Sequence, residues 1–352
     1  MAVRRSTPDR RGGDHRRCHR HLGAQSVSHL RLNLVLLAGL LLCGSASVFS
    51  GSGGAGLSDL LAGDDGLAGL VLWELRLPRV LLGALVGAGL GASGAVLQGF
   101  LRNPLADPGV IGVSASAGLG AVIALYFGLS AAFALALPLA GVIGAAAGVA
   151  ALFAIAGRDA SATTLILAGI AVNATAGAFT ALLMNLAPNP WALAEIAYWL
   201  MGSLNDASWT EVGFAAPVIL PGLIILAPLA RGLDALGLGE DTARSLGISL
   251  GRMRLAVVCG TALAVGGGVA VAGAIGFVGL VVPHLLRPLV RHQPGALILP
   301  SALGGALLIV LADLATRLLS GPGIPLYLGV LTALIGAPFF LWLVRQTQKV
   351  AP

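Results

Sequence analysis

"RLPRVLLGALVGAGLGASGAVLQGFLRNPLADPGVIGVSASAG", Arg76 to Gly118, holds a long apolar run, a turn carrying two X-Pro pairs, and the start of a second apolar run. The first run, residues 80–100, meets the length of roughly 20 residues that a helix needs to cross a hydrocarbon core about 30 Å thick. Within it Gly83, Gly87, Gly91, Ala95 and Gly99 recur at every fourth position. That spacing lines small residues along one face and lets two helix backbones approach closely. Asn103-Pro104 and Asp107-Pro108 then break the helix, because a residue that precedes proline is pushed out of the α region. A span, a tight turn and a second span, with no hydrophilic domain between them, is the pattern of a polytopic membrane protein.

The pattern extends over the rest of the chain. Further runs of suitable length lie near 32–49, 109–128, 131–156, 162–187, 212–230, 254–272, 274–290, 297–318 and 326–344. The expected fold is therefore all-α, with about ten transmembrane helices. The boundary at 272–276 is the weakest, with only Gly273 and Gly276 as a turn signal. Composition agrees: 57% of the 352 residues are hydrophobic and 10% are charged, where a soluble domain carries about 25% charge. Mean hydropathy is +0.92. No linker divides the chain. The expected organisation is a disordered basic tail over 1–31, a ten-helix membrane domain over 32–345 and a short tail over 346–352.

Basic residues set the orientation. With both termini in the cytoplasm, all of the 21 Lys+Arg except Arg76, Arg79 and Arg317 fall on the inner side, as the positive-inside rule expects. Trp73, Trp191, Trp199 and Trp209 then mark the outer interface and Trp342 the inner one. The high pI follows from this topology, and no nucleic-acid partner is read from it. Cys18 falls in the tail and Cys43 and Cys259 in separate spans, which gives no disulfide framework. The first apolar run resembles a signal peptide, but nine further spans point to a retained helix.

Several residues could carry chemistry. His15, Cys18, His19 and His21 cluster in the tail, but arginines interrupt them and nothing fixes a ligand geometry, so no metal site is expected. Asp313 is the one carboxylate well inside an apolar run. It could be a proton site, although Arg317, four residues on, can pair with it on the same helix face. His284 reads as a packing or helix-end residue. Gly91–Gly94 spells G-x-S-G, but a nucleophilic Ser93 needs a base in reach, and His284 near an inner helix end is the only membrane candidate. No catalytic residue and no cofactor are expected. Arg76 and Arg79, on the outer side against the rule, imply either lipid-phosphate snorkelling or an acidic partner.

Eight motifs taken together carry a resemblance: "RLPR" with "SGAVLQ" and "RNPLADPGVIGVSASAG", then "YWLMGSL", "LGEDTARSLG", "GAIGFVGLVVPHLLR", "LPSALGGALLIVLADLATR" and "LTALIGAPFFLWLV". In this order they resemble the iron-siderophore and vitamin B12 (FecCD-type) permease family of ABC importers, over roughly 32–345. The resemblance implies a type II importer permease in the cell inner membrane that carries an iron chelate. Ferric siderophore is the first candidate; haem and cobalamin are the others. It implies a second permease copy or close paralogue, two copies of a separate ATPase, and a periplasmic or lipid-anchored substrate-binding protein. There is no G-x-x-x-x-G-K-[ST] in the chain, so nucleotide binding through a P-loop must come from a partner.

By the same resemblance the inner loop Leu238, Gly239, Glu240, Ala243, Leu246 and Gly247 is the ATPase coupling loop. Ala243 and Leu246 are expected on one contact face, with Gly247 as the helix C-terminal cap. Arg76, Arg79 and Arg317 would receive acidic residues of the binding protein. Asn103 and Leu105, with Thr163 at the start of the fifth span, would form the cytoplasmic gate. The spans offer few polar anchors for cargo, namely Gln98, Asn173 and Asn185. The family's Glu-Leu-Pro-Val-Gly before the last span is replaced here by Pro325, Leu326, Tyr327, Leu328 and Gly329. A proton-coupled secondary transporter is the alternative function.

Overall fold

The computed structural model describes residues 14–50, 67–157, 160–320 and 325–348. These form helices and turns, with no strand among the described residues. Each of the ten apolar runs contains a helix. Seven helices are long and apolar enough to cross a membrane, and three more are shorter.

Helix α1 spans Asp14–Phe49. It starts well before the first apolar run, so from Asp14 on the polar segment expected to lack structure is helical; residues 1–13, and with them the rest of that expectation, lie outside the described residues. The physical reason is cooperativity: once the apolar segment is helical, each added residue gains a hydrogen bond without a new nucleus. The outer segment 51–66 is likewise outside the described residues. A short helix at Leu67–Leu70 then passes through a π-helical turn, Val71–Arg76, into α2, Leu77–Phe100.

The remaining long helices are α3 (Val113–Tyr126), α4 (Ala136–Ala156) and α5 (Ala162–Asn185). On the outer side follows α6 (Pro190–Leu200), and then α7 (Trp209–Leu226). The inner loop holds α8 (Ala230–Gly237) and α9 (Glu240–Ser245). The chain ends with α10 (Leu250–Ala272), α11 (Val278–Leu286), α12 (Ile298–Leu319) and α13 (Leu328–Gln348).

Helix α2 is the central post, and its small residues explain how. A Cβ on Gly91 would strike the Ser301 carbonyl oxygen, and one on Gly87 the backbone of Gly305, so α2 and α12 touch backbone to backbone. On another side Gly94 packs directly on Gly279 of α11. Leu82, Val86 and Leu97 of α2, Val257 and Val265 of α10, and Ile309 of α12 fill the spaces between. Lipid supplies no hydrophobic drive for helix association, so this close approach is the cohesion of the bundle.

The weak boundary is a real break. Helix α10 stops at Ala272, residues 273–277 are not helical, and α11 starts at Val278. Gly273 and Phe277 both have positive φ, +70° and +68°. Irregular backbone at membrane depth is tolerated only where protein covers it. Here the Ser203 N–H bonds the Ala272 carbonyl at 2.8 Å, and Phe277 packs on Gly336 of α13.

Candidate functional site: an arginine cluster and the loop at the far end of the bundle

The three outer arginines come together. The π-helical turn ends at Arg76 and directs it inward, where its buried guanidinium donates to the Val48 carbonyl of α1 at 3.0 Å. Three residues on, Arg79 forks onto Asp313 of α12. Its Nε reaches both carboxylate oxygens at 2.9 and 3.0 Å, and its Nη2 reaches Oδ1 at 2.8 Å. The same Nη2 donates to Asn205 Oδ1 at 2.8 Å. Arg317 lies 3.4 Å from the second Asp313 oxygen and donates to the Ser47 and Ser50 carbonyls and to Ser47 Oγ.

The expected pairing of Asp313 with Arg317 is therefore present, but Arg79 is the closer partner. Their separation of 234 residues leaves no local signal in the sequence. Both Asp313 oxygens are thus committed to arginine partners within the fold. Arg79 and Arg317 line an outward cavity of about 750 Å³ with Ser50, Asn205, Ser320 and Pro325. A second outer cavity of about 610 Å³ adjoins it through Asn205, with Glu195, Asp206, Glu211, Trp191, Tyr198 and Tyr327 in its wall.

The unusual outer loop also has a structural account. Tyr327 stacks on Tyr198 of α6, with ring centroids 5.8 Å apart and planes 9° from parallel. Leu326 N–H bonds Ser320 Oγ at 2.9 Å, and Gly329 N–H reaches the Gly202 carbonyl at 3.3 Å. Segment 321–324 lies outside the described residues.

On the inner side, Gly239 (φ +110°) turns the chain between α8 and α9. Gly247 has φ +83° and ends α9 as expected. Gly247 N–H bonds the Arg244 carbonyl at 2.9 Å and Ile248 N–H the Ala243 carbonyl at 3.0 Å, the hydrogen-bond pair of a Schellman motif. The contact face differs from the expectation. Ala243 is 0% exposed and turned into the permease, whereas Leu246 is 61% and Leu238 71% exposed. Six residues of helix cannot bury Ala243 and also present it. The outward apolar groups are the two leucines at the ends of α9.

Glu240 pairs with Arg244 at 3.5 Å and with Arg102 at 3.6 Å. Arg102 follows the end of α2 and has φ +49°, so the pair joins α9 to the turn that holds Asn103 and Leu105. Asn103 Oδ1 accepts from Leu105 N–H at 2.9 Å, and the Asn103 N–H bonds the Gln98 carbonyl at 3.1 Å. Thr163 is exposed on the first turn of α5, and no hydrogen bond joins it to Asn103 among the described residues. Asp107 caps the next turn by accepting from Gly109 N–H at 2.8 Å. Burial pushes its carboxyl above the ordinary aspartate value, and that one N–H opposes the shift.

The fold also places five other candidates. Gln98 is buried. It donates to the Gly279 and Leu280 carbonyls at 3.3 Å and accepts from Arg287, so it joins α2 to α11, and with Arg102 and Arg287 it lines a cavity of about 260 Å³. Asn173 and Asn185 lie on the exposed face of α5. Ser93 Oγ is buried without a hydrogen-bond partner, so no base stands within reach of it, and His284 packs edge-on against Phe339.

Comparison with known proteins gives one answer throughout. The model of the FecCD transport family matches residues 34–346. The chain is 44% identical over 279 residues to the vitamin B12 import system permease protein BtuC of Vibrio cholerae, covering 79% of this chain and 83% of that one. It is 37% identical to the hemin transport system permease protein HmuU of Yersinia pestis, over 79% and 84% of the two chains. The uncharacterized ABC transporter permease protein YvrB of Bacillus subtilis is 40% identical over 83% of each. Among solved structures, one described as an inward-facing conformation of a metal-chelate type ABC transporter superposes with a TM-score of 0.81 at 33% identity, covering 90% of this chain and 99% of that one. With its helices, its motifs in order and these relatives, the chain belongs to the FecCD transport family and is a multi-pass permease of the ABC-importer type.

Proposed function

We propose that this protein is the membrane-spanning subunit of an inner-membrane importer of a bulky metal chelate, with ferric siderophore as the first candidate cargo. A separate ATPase drives it from the cytoplasm and a substrate-binding protein feeds it from outside. The observation that carries the reading is the inner loop: a short helix pinned by buried Ala243, with Leu238 and Leu246 exposed at its ends. Two exposed leucines at the ends of a short helix suit an apolar groove in another protein.

In this mechanism two permease copies pack together, each docked on one ATPase, with both termini in the cytoplasm. The uncovered faces of α5 and α13, with Leu167, Ile170 and Phe179 on one and Leu334, Ile335 and Leu341 on the other, support a second copy. ATP binding moves the coupling loop, and the Glu240–Arg102 pair passes the movement to the turn at Asn103 and Leu105. Thr163, exposed in one chain, completes the gate across the two copies. The outer arginines receive acidic groups of the loaded binding protein. Cobalamin is the second reading for the cargo, favoured by the 44% identity to the B12 permease. The test is reconstitution with candidate ATPases and binding proteins in liposomes, with uptake of radiolabelled ferric siderophores, haem and cobalamin. Uptake of none of them under ATP sinks the proposal, and uptake of one class decides the cargo.

A further inference from the structure

Helices α2 and α12 do not need the Arg79–Asp313 pair to stay together. The Gly87, Gly91, Ser301 and Gly305 backbones are already in contact two turns further in, and packed helices in lipid are held by such contacts. The pair is also unbalanced. Among the described residues one carboxylate serves both Arg79 and Arg317, and both arginines line an open cavity of about 750 Å³. Arg79 has a neutral second acceptor in Asn205, which is exposed at the rim of the same cavity. The arginine fork is thus presented with its planar donor face held in register for a carboxylate.

We propose that Asp313 is a placeholder: it occupies the Arg79 fork in the undocked permease and yields it to a carboxylate of the incoming binding protein. The inference rests on the reading of the outer arginines as the landing site and adds to it an internal competitor. During docking, the incoming carboxylate takes the two N–H bonds of Arg79, and Asp313 keeps its contact with Arg317. Charge is conserved at each step and no guanidinium is left bare in a low-dielectric setting, which would be costly. The exchange also loosens the Asn205 segment that Arg79 now holds, while the α2–α12 post stays rigid.

The competitor predicts a sign opposite to that of a structural role. In full-length permease with its ATPase in nanodiscs, the probe is the binding protein that stimulates hydrolysis by the wild-type complex. Asp313→Asn is expected to tighten its docking about tenfold, one factor of ten in Kd, with a lower Tm because Arg79 and Arg317 lose the carboxylate between them. Asn205→Asp, an exposed isosteric change that adds a second internal carboxylate, is expected to weaken docking by about the same factor. Unchanged or weaker docking by Asp313→Asn overturns the placeholder, as does unchanged docking by Asn205→Asp; the latter decides alone if Asp313→Asn does not fold. Arg79→Gln separates the two readings. If it docks as well as wild type, the landing site itself is wrong; if it docks poorly while Asp313→Asn does not tighten, only the placeholder falls.

Discussion

Asp107 shows how one residue can be placed at odds with its surroundings. Its carboxylate has a single N–H partner, and burial raises its pKa. An acid whose folded-state pKa is raised contributes stability that is full below the unfolded value, near 3.9, and is lost as pH rises through the folded value. Asp107→Asn keeps an acceptor for Gly109 and removes the charge. It is expected to raise the melting temperature in detergent at neutral pH, with the gain vanishing as the pH falls into the ordinary aspartate range. No gain at pH 7 would mean that the carboxylate is solvated after all. Arg76 is the complementary case. Arg76→Gln retains a donor for the Val48 carbonyl but not the charge, so folding and basal hydrolysis should persist while stimulation by the binding protein drops; hydrolysis assays with and without that protein check it. Arg76 and Arg79 stood out in the sequence because they break the charge rule. Asn205 and the Arg79–Asp313 fork did not, since nothing local marks residues so far apart in the chain.

At the scale of elements, the small-residue ribbon of α2 was legible and proved to be the packing surface. Gly91→Val would drive a side chain into the Ser301 carbonyl. Overpacking costs about 1–3 kcal/mol or more, so a lower Tm and loss of monodisperse protein in size-exclusion chromatography are expected. Gly177 on α5 meets nothing within 4 Å; Gly177→Ala should be neutral or gain up to about 1 kcal/mol of helix propensity. Equal effects of the two changes would refute the close packing. In α9, the cap at Gly247 followed from sequence, but the exposed face did not: the helical period alone cannot say which side of a six-residue helix meets its own protein. The structure makes Leu246 the exposed group. Leu246→Glu should leave Tm and binding-protein docking unchanged and reduce coupled hydrolysis at least about tenfold, as expected for an apolar anchor in a protein groove. Full coupled hydrolysis by that variant would remove the loop from the ATPase interface.

For the whole molecule, the proposal makes the permease a passive conduit. Liposomes that hold it alone should show no uphill uptake of a metal chelate under a proton gradient, whereas addition of ATPase, binding protein and ATP should start transport. Uphill movement on the gradient alone would restore the secondary-transporter reading. By itself the sequence determined that the chain spans a membrane repeatedly, where its helices lie and which family it resembles, because hydropathy, proline turns and motif order are local properties read within a few tens of residues. The tertiary structure decided which helices touch through their glycines, that Ala243 faces inward while Leu246 faces out, that Gln98 is an internal brace, and that Asp313 sits in the Arg79 fork. Those facts depend on crossing positions and rotations of helices that are remote in sequence, and only the packed bundle sets them.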